Sequence, residues 1–308
     1  METRAIGSLK VSLVGVGCNN FGGRIDEERS KKVVHAALDA GINFFDTADV
    51  YGGTRSEELL GRALAGRRDE VVVATKFGMP LGGEGQGGAG RRWIEQAAED
   101  SLRRLGTDHI DLYQQHIPDD SVPIDETLDA LNRLVEAGKV RQIGNSNFSG
   151  AQIERADAAA DERGSARFVS AQNELSLLWT GARDDVLPAC VRHGLALLPY
   201  FPLASGLLTG KYQRDTAPPG GTRLAQLPEE RSSRILSDRN FDVVDRLDAW
   251  ATARDHTILE LAFAWLLAQP NLASVIAGAT SPEQIQANAA AAEWVLSPDE
   301  LAEVDQLI

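Results

Sequence analysis

Short apolar runs and amphipathic helical patterns alternate eight times along this chain, and that alternation leaves few architectures open. The runs 13–16, 42–45, 71–75, 110–115, 140–144, 168–174, 195–200 and 273–277 are bounded by turn residues. Such runs read as parallel strands buried on both faces. Between them the spacing predicts helices over 26–40, 56–64, 91–105, 124–137, 151–163, 184–193, 242–254 and 258–268, with two more over 282–291 and 298–307. Asp26, Ser56, Ser281 and Ser297 are expected N-caps, with Pro282 and Pro298 at the first helical position. Gly41, Gly138 and Gly194 are expected to close their helices. A doubly wound sheet would carry a glycine fingerprint after its first strand, and none is present. The expected fold is therefore α/β, a (β/α)8 TIM barrel. A short N-terminal hairpin around 8–11 precedes it and a C-terminal helix follows. Residues 1–308 are expected to form one domain.

Three strands end in ionisable side chains. The run 42–45 stops at Asp46, with Tyr51 five residues on; 71–75 stops at Lys76; 110–115 stops at His116. In a parallel barrel the C-terminal strand edges share one mouth, where active sites sit. A carboxylate, a phenol, an ammonium and an imidazole would meet there. A phenol with a pKa of about 10 is a poor acid at neutral pH unless a neighbouring cation tunes it. A carboxylate would keep that cation charged, and an imidazole would orient a carbonyl oxygen. The set suits proton donation to a carbonyl that receives hydride from a cofactor.

These segments resemble the aldo-keto reductase family over essentially the whole chain, and Thr280 and Gln284 resemble its bacterial reductase and potassium-channel β-subunit branch. The matching motifs are Phe45-Asp46-Thr47-Ala48, Tyr51-Gly52, Ala74-Thr75-Lys76-Phe77-Gly78 and Asp111-Leu112-Tyr113-Gln114-Gln115-His116. The resemblance implies catalytic roles for Asp46, Tyr51, Lys76 and His116. It implies nicotinamide carboxamide contacts from Ser146, Asn147 and Gln172, and a stacking ring from Tyr200. Leu203, Ala204, Gly206, Leu208 and Lys211 fall in the implied pyrophosphate loop. Gly278, Thr280, Gln284 and Asn288 fall in the implied adenosine site. Lys211 and Arg223 match the positions that supply positive charge in this branch, so NADPH is the expected cofactor and NADH the alternative. The chain departs from the family at Asn145 and Ala287, and it carries no arginine at 280 or 284.

Phe21, Phe77 and Trp179, just past strand ends, read equally as the lining of an apolar substrate pocket or as core or rim packing. The end of the chain soon after its last helix suggests an open pocket. The segments 79–90 and 213–239, rich in glycine, proline and polar residues, are expected to be lids. The net charge of -14 argues against nucleic acid or anionic membrane as partner and leaves a small carbonyl compound. No run is long enough to span a membrane and no apolar leader is present, so the expected compartment is the cytoplasm. Cys18 and Cys190 read as reduced thiols, and no histidine has metal-ligand spacing, so no metal is expected. The leading reading is a carbonyl reductase. A nucleotide-sensing module like the channel β subunits is the alternative, and a Schiff-base aldolase using Lys76 is a third.

Overall fold

In the computed structural model, which describes residues 1–83 and 85–308, ten strands and twelve α-helices follow one another. A hairpin of β1 (Thr3–Ile6) and β2 (Leu9–Ser12) comes first. The barrel strands are β3 (Val14–Gly17), β4 (Phe44–Asp46), β5 (Val72–Phe77), β6 (Ile110–Gln115), β7 (Val140–Ser146), β8 (Phe168–Glu174), β9 (Ala196–Tyr200) and β10 (Val275–Gly278). They run parallel in the order β10-β3-β4-β5-β6-β7-β8-β9. Leu197 N donates to Asn271 O and Ala273 N to Leu197 O, which draws β9 against the approach to β10 and nearly closes the ring.

The helices between strands are α1 (Glu27–Asp39), α2 (Arg55–Ala63), α3 (Arg91–Leu105), α4 (Ile124–Glu136), α5 (Gly150–Arg163), the short α6 (Gly181–Asp184) and α7 (Val186–His193). After β9 come α8 (Glu229–Ile235), α9 (Asp238–Thr252) and α10 (Ile258–Leu267); α11 (Pro282–Ala291) and α12 (Pro298–Asp305) follow β10. The longer helices between strands each lay an apolar stripe on the barrel. On α1 the stripe is Val33, Val34 and Ala37, and Asp26 caps the first turn by accepting from Arg29 N at 2.9 Å.

Two apolar layers result. The larger fills the space between strands and helices. The smaller lies inside the barrel, where Ile6, Leu9 and Val11 of the hairpin pack onto Phe44, Val72, Leu112 and Leu198. The hairpin thus plugs the end of the barrel from which the strands start. Its turn needs Gly7: φ is +54°, and a Cβ there would sit 2.4 Å from Gln142 Oε1. Burying a side chain such as Phe44 completely contributes about 2–3 kcal/mol, so this plug seals one end at modest chain length.

Several local expectations need correction. Ser56 does not cap α2. The helix starts one residue earlier after Thr54, and the buried Ser56 hydroxyl instead donates to Cys18 O at 2.8 Å. Ser281 makes no side-chain cap; the Gln284 side chain accepts from Thr280 N at 2.8 Å in its place. The helix expected from 242 begins at Asp238, because Ser237 accepts from Asn240 N. The segment 213–239 is not a bare loop, since it contains a 3-10 turn, Leu224–Gln226, and α8. Of the segment 79–90, residue 84 lies outside the described residues.

Candidate active site

Strand parity brings the ionisable ends together. Asp46 closes β4, Lys76 is the penultimate residue of β5, and His116 directly follows β6. Lys76 Nζ donates to Asp46 Oδ2 and to Thr47 O, both at 2.7 Å. The other carboxylate oxygen accepts from Gln172 Nε2 at 2.8 Å and Gln114 Nε2 at 3.3 Å. Tyr51 reaches the same spot from a tight turn. Its amide donates to Ala48 O, and Gly52 beside it has φ +60° and lies where a Cβ would meet Phe21 O at 2.4 Å. Only glycine fits that approach. The Tyr51 ring lies 5.1 Å from Lys76 Nζ and meets the His116 ring edge-on at 5.7 Å.

The electrostatics follow from burial. Lys76 is 0% exposed and Asp46 3% exposed. Burial alone would lower the Lys76 pKa, but the Asp46 carboxylate and the Tyr51 phenol outweigh it, and its pKa is raised. The ammonium is therefore permanent. Burial pushes the Tyr51 phenol above its ordinary value, against the opposing pull of Lys76. The tuning expected from the sequence is present but outweighed. Burial, with help from Lys76, holds the His116 imidazole down to about 3, so it is neutral at physiological pH. Its Nδ1 is buried without a partner.

These groups open onto a cleft of about 930 Å³. At the tyrosine end it is lined by Ser146, Asn147, Gln172 and Tyr200. Asn147 adopts a left-handed φ of +62°, which asparagine tolerates better than most residues. Its amide donates to His116 O at 2.9 Å and Ser146 Oγ at 3.0 Å, and its carbonyl accepts from Tyr200 OH at 2.8 Å. The middle carries Leu203, Gly206, Lys211 and Arg223. Among the described residues neither Lys211 nor Arg223 has a carboxylate within 4.0 Å, although the chain is strongly acidic. Arg223 stacks instead on Phe201, 4.6 Å from the ring centroid. Gly278, Thr280, Gln284 and Asn288 line the far end.

The cleft fits a dinucleotide. Amide and hydroxyl groups stand at one end, unpaired cations in the middle and polar side chains at the other end. Gly206, at φ +96°, occupies a turn where a Cβ would crowd Lys211 Nζ at 2.7 Å. Gln172 commits one amide hydrogen to Asp46, which leaves its other amide hydrogen and its carbonyl oxygen for a ligand.

Other expected residues lie elsewhere. Phe21 and Phe77 are wholly buried in the outer core, with Phe77 packed on Tyr113 at 4.8 Å, because their side chains point away from the barrel axis. Trp179 pairs its backbone with Ser176 and packs against the core. Leu208 and Ala204 are buried beneath the turn rather than lining the cleft. Met79, Ile117, Phe201 and Pro202 supply the apolar lining instead. Two further polar side chains contribute to the site. Gln114 stands two residues before His116, and that even spacing was a signal for the same inward face. Arg24 spans the cleft mouth, donating to Gly221 O at 2.8 Å and Gln226 Oε1 at 2.9 Å, and no local pattern marked it.

The comparisons with known proteins agree with this geometry. A family model described as "Aldo/keto reductase family" matches residues 13–308. The chain is 35% identical over 310 residues to a probable voltage-gated potassium channel subunit beta of Arabidopsis thaliana, covering 97% of this chain and 94% of that protein. It is 34% identical to the aldo-keto reductase YhdN of Bacillus subtilis, covering 97% and 91%. The structure of the glycerol dehydrogenase AKR11B4 from Gluconobacter oxydans superposes with a TM-score of 0.85 at 34% identity, covering 99% and 94%. Among the described residues no helix is long and apolar enough to cross a membrane.

Proposed function

The chain belongs to the aldo/keto reductase family, and from that premise we propose that it is an NADPH-dependent reductase of aldehydes and ketones in which Tyr51 is the proton donor. A bound nicotinamide supplies hydride. The chain's own residues do the rest. The neutral His116 imidazole hydrogen-bonds the substrate carbonyl oxygen and orients it. Tyr51 gives its hydroxyl proton to that oxygen, and the Lys76 ammonium steadies the phenolate left behind. Asp46 keeps Lys76 charged and aimed, and Gln172 and Gln114 keep Asp46 aimed in turn. Ser146, Asn147 and Gln172 would hold the nicotinamide carboxamide beside Tyr200. Lys211 and Arg223 would meet the phosphates, with Thr280, Gln284 and Asn288 at the adenosine.

The observation that carries this reading is the buried Asp46–Lys76 pair set against Tyr51 and a neutral His116 at one end of a dinucleotide-sized cleft. The same pair counts against an aldolase, because a lysine held as ammonium is no nucleophile. The test is oxidation of NADPH and of NADH with a panel of aldehydes and ketones, beside fluorescence titration of both cofactors. Turnover with tighter binding of NADPH is expected. Tight cofactor binding with no turnover of any carbonyl would favour the second reading, a nucleotide-sensing module, which the plant relative's name suggests.

A further inference from the structure

Behind the tyrosine turn lies a second ionisable cluster that the proposed chemistry does not use. Asp49 sits between Asp46 and Tyr51 in sequence, yet its side chain points away from the cleft and is 0% exposed. Neither of its oxygens has a hydrogen-bond partner. Its backbone is stitched to the catalytic strand, because Asp49 N donates to Lys76 O at 3.2 Å.

The groups around it come from four elements. Glu57 on α2 is fully buried; it accepts from Thr75 Oγ1 at 2.5 Å and from Arg104 Nε of α3 at 2.6 Å. Lys76 of β5, though aimed at Asp46, also acts on Asp49 through its charge, and the charge of Asp49 acts in turn on the buried, unpartnered Tyr113 hydroxyl of β6. Arg104 is the cation of the cluster and is spent on Glu57; Lys76 is spent on Asp46. Two buried carboxylates thus share one available positive charge. A dry site with that inventory keeps one carboxyl protonated. Asp49, the one without an ion pair, is the one that keeps the proton.

We propose that Asp49 is a positioning residue for Tyr51: as a neutral acid it keeps the turn 47–52 seated on Lys76, and its ionisation loosens that turn and weakens proton donation. The inference rests on the reductase reading for its kinetic consequence, but not for the ionisation itself. Burial and the Glu57 carboxylate push the Asp49 pKa up to about 7, against the pull of Arg104 and Lys76. The ionisation therefore falls within the working pH range.

The sign follows. Folded Asp49 holds its proton up to about pH 7, whereas an unfolded aspartate loses it near 4. The folded state therefore loses stability as pH rises between those values. An anion appearing there also disfavours the phenolate that forms when Tyr51 gives up its proton. A charge buried at an effective dielectric near 20 acts on a neighbouring group strongly enough to change a rate roughly tenfold.

The test compares the parent with Asp49→Asn, which keeps the shape and cannot ionise. In the parent, kcat/KM for a reactive aldehyde should fall roughly tenfold as pH rises from about 6 to about 8.5. In Asp49→Asn that limb should vanish, with cofactor affinity unchanged and activity at pH 6 close to the parent's. A purely structural role would lower activity at every pH and leave the limb in place. Independently of turnover, the infrared carbonyl band of a protonated acid should be present in the parent at about pH 5.5, fade through pH 7 and be missing in Asp49→Asn. The melting temperature of the variant relative to the parent should also climb over that range. A flat parent profile, an unchanged limb in the variant or the absence of the infrared band would each overturn the proposal. If no carbonyl is turned over, the reductase reading fails while the infrared and melting measurements still decide whether Asp49 titrates.

Discussion

The two ends of the barrel each bury an aspartate on a strand, and they treat it differently. At the end where the strands begin, Asp111 of β6 accepts from Arg68 and Arg141 at 2.6 Å and from Val73 N at 2.9 Å. Every oxygen is satisfied, and the hairpin plugs the barrel interior at this end. At the other end Asp46 holds Lys76 beside an open cleft, with a raised phenol, a neutral imidazole and an unpartnered Asp49 nearby. The first arrangement spends its charges on holding strands together. The second leaves groups unsatisfied, or held away from their ordinary protonation, where a ligand would meet them. A buried ion pair is therefore informative through what surrounds it. Completed hydrogen bonding reads as structure, and strained ionisation beside a cavity reads as chemistry.

Substitutions at the two ends should separate these roles. The largest effect is expected for Lys76→Met. It removes the charge that supports Tyr51, so reduction should fall by at least roughly 10²–10⁴-fold, and it strands Asp46, costing about 3 kcal/mol in denaturant unfolding. Wild-type turnover in this variant would break the contrast. Asp111→Ala should do the reverse: a loss of about 3 kcal/mol in stability, with kcat within a factor of about two of the parent. A kinetic defect there at a temperature where the protein stays folded would mean that the far end is not merely structural.

Acid should also act mainly through the mouth. Folded His116 titrates near 3 rather than near 6.5, so the unfolded chain binds its proton first. Its contribution to stability is complete above pH 6.5 and is lost as pH falls towards 3, amounting to roughly 2 kcal/mol by pH 5. Unfolding curves of His116→Gln should show that part of the acid sensitivity removed; equal sensitivity in both proteins would place the charge-dependent loss elsewhere. The smallest effect is on cofactor choice. Arg223→Ala should shrink the preference for NADPH over NADH by a factor of about ten, read from paired titrations, because one unpaired cation leaves the cleft. Parent protein that binds both cofactors equally would remove the basis for that expectation.

Much of this architecture is legible in the sequence because it depends on local patterning. The eight strand positions follow from apolar runs, and Asp46, Lys76 and His116 follow from where those runs stop. What escaped depends on side-chain direction and long-range contact. Phe21 and Phe77 follow strands in sequence but face the helical layer. Ser56 has the sequence of a cap, yet its hydroxyl is drawn to Cys18 across the fold. Arg24 gains its role from a segment about 200 residues away. Helix α8 and the early start of α9 were hidden by polar composition, since α8 buries only Ile235.

The central claim, that the mouth is a reduction site with Tyr51 as its acid, is tested most directly by single-turnover hydride transfer from NADPH to a reactive aldehyde in Tyr51→Phe, with NADPH titration on the same preparation. The substitution removes one hydroxyl and keeps the ring. Transfer should slow by roughly 10²–10⁴-fold while NADPH binds as in the parent. Transfer at the parent rate with cofactor binding intact would contradict the assignment.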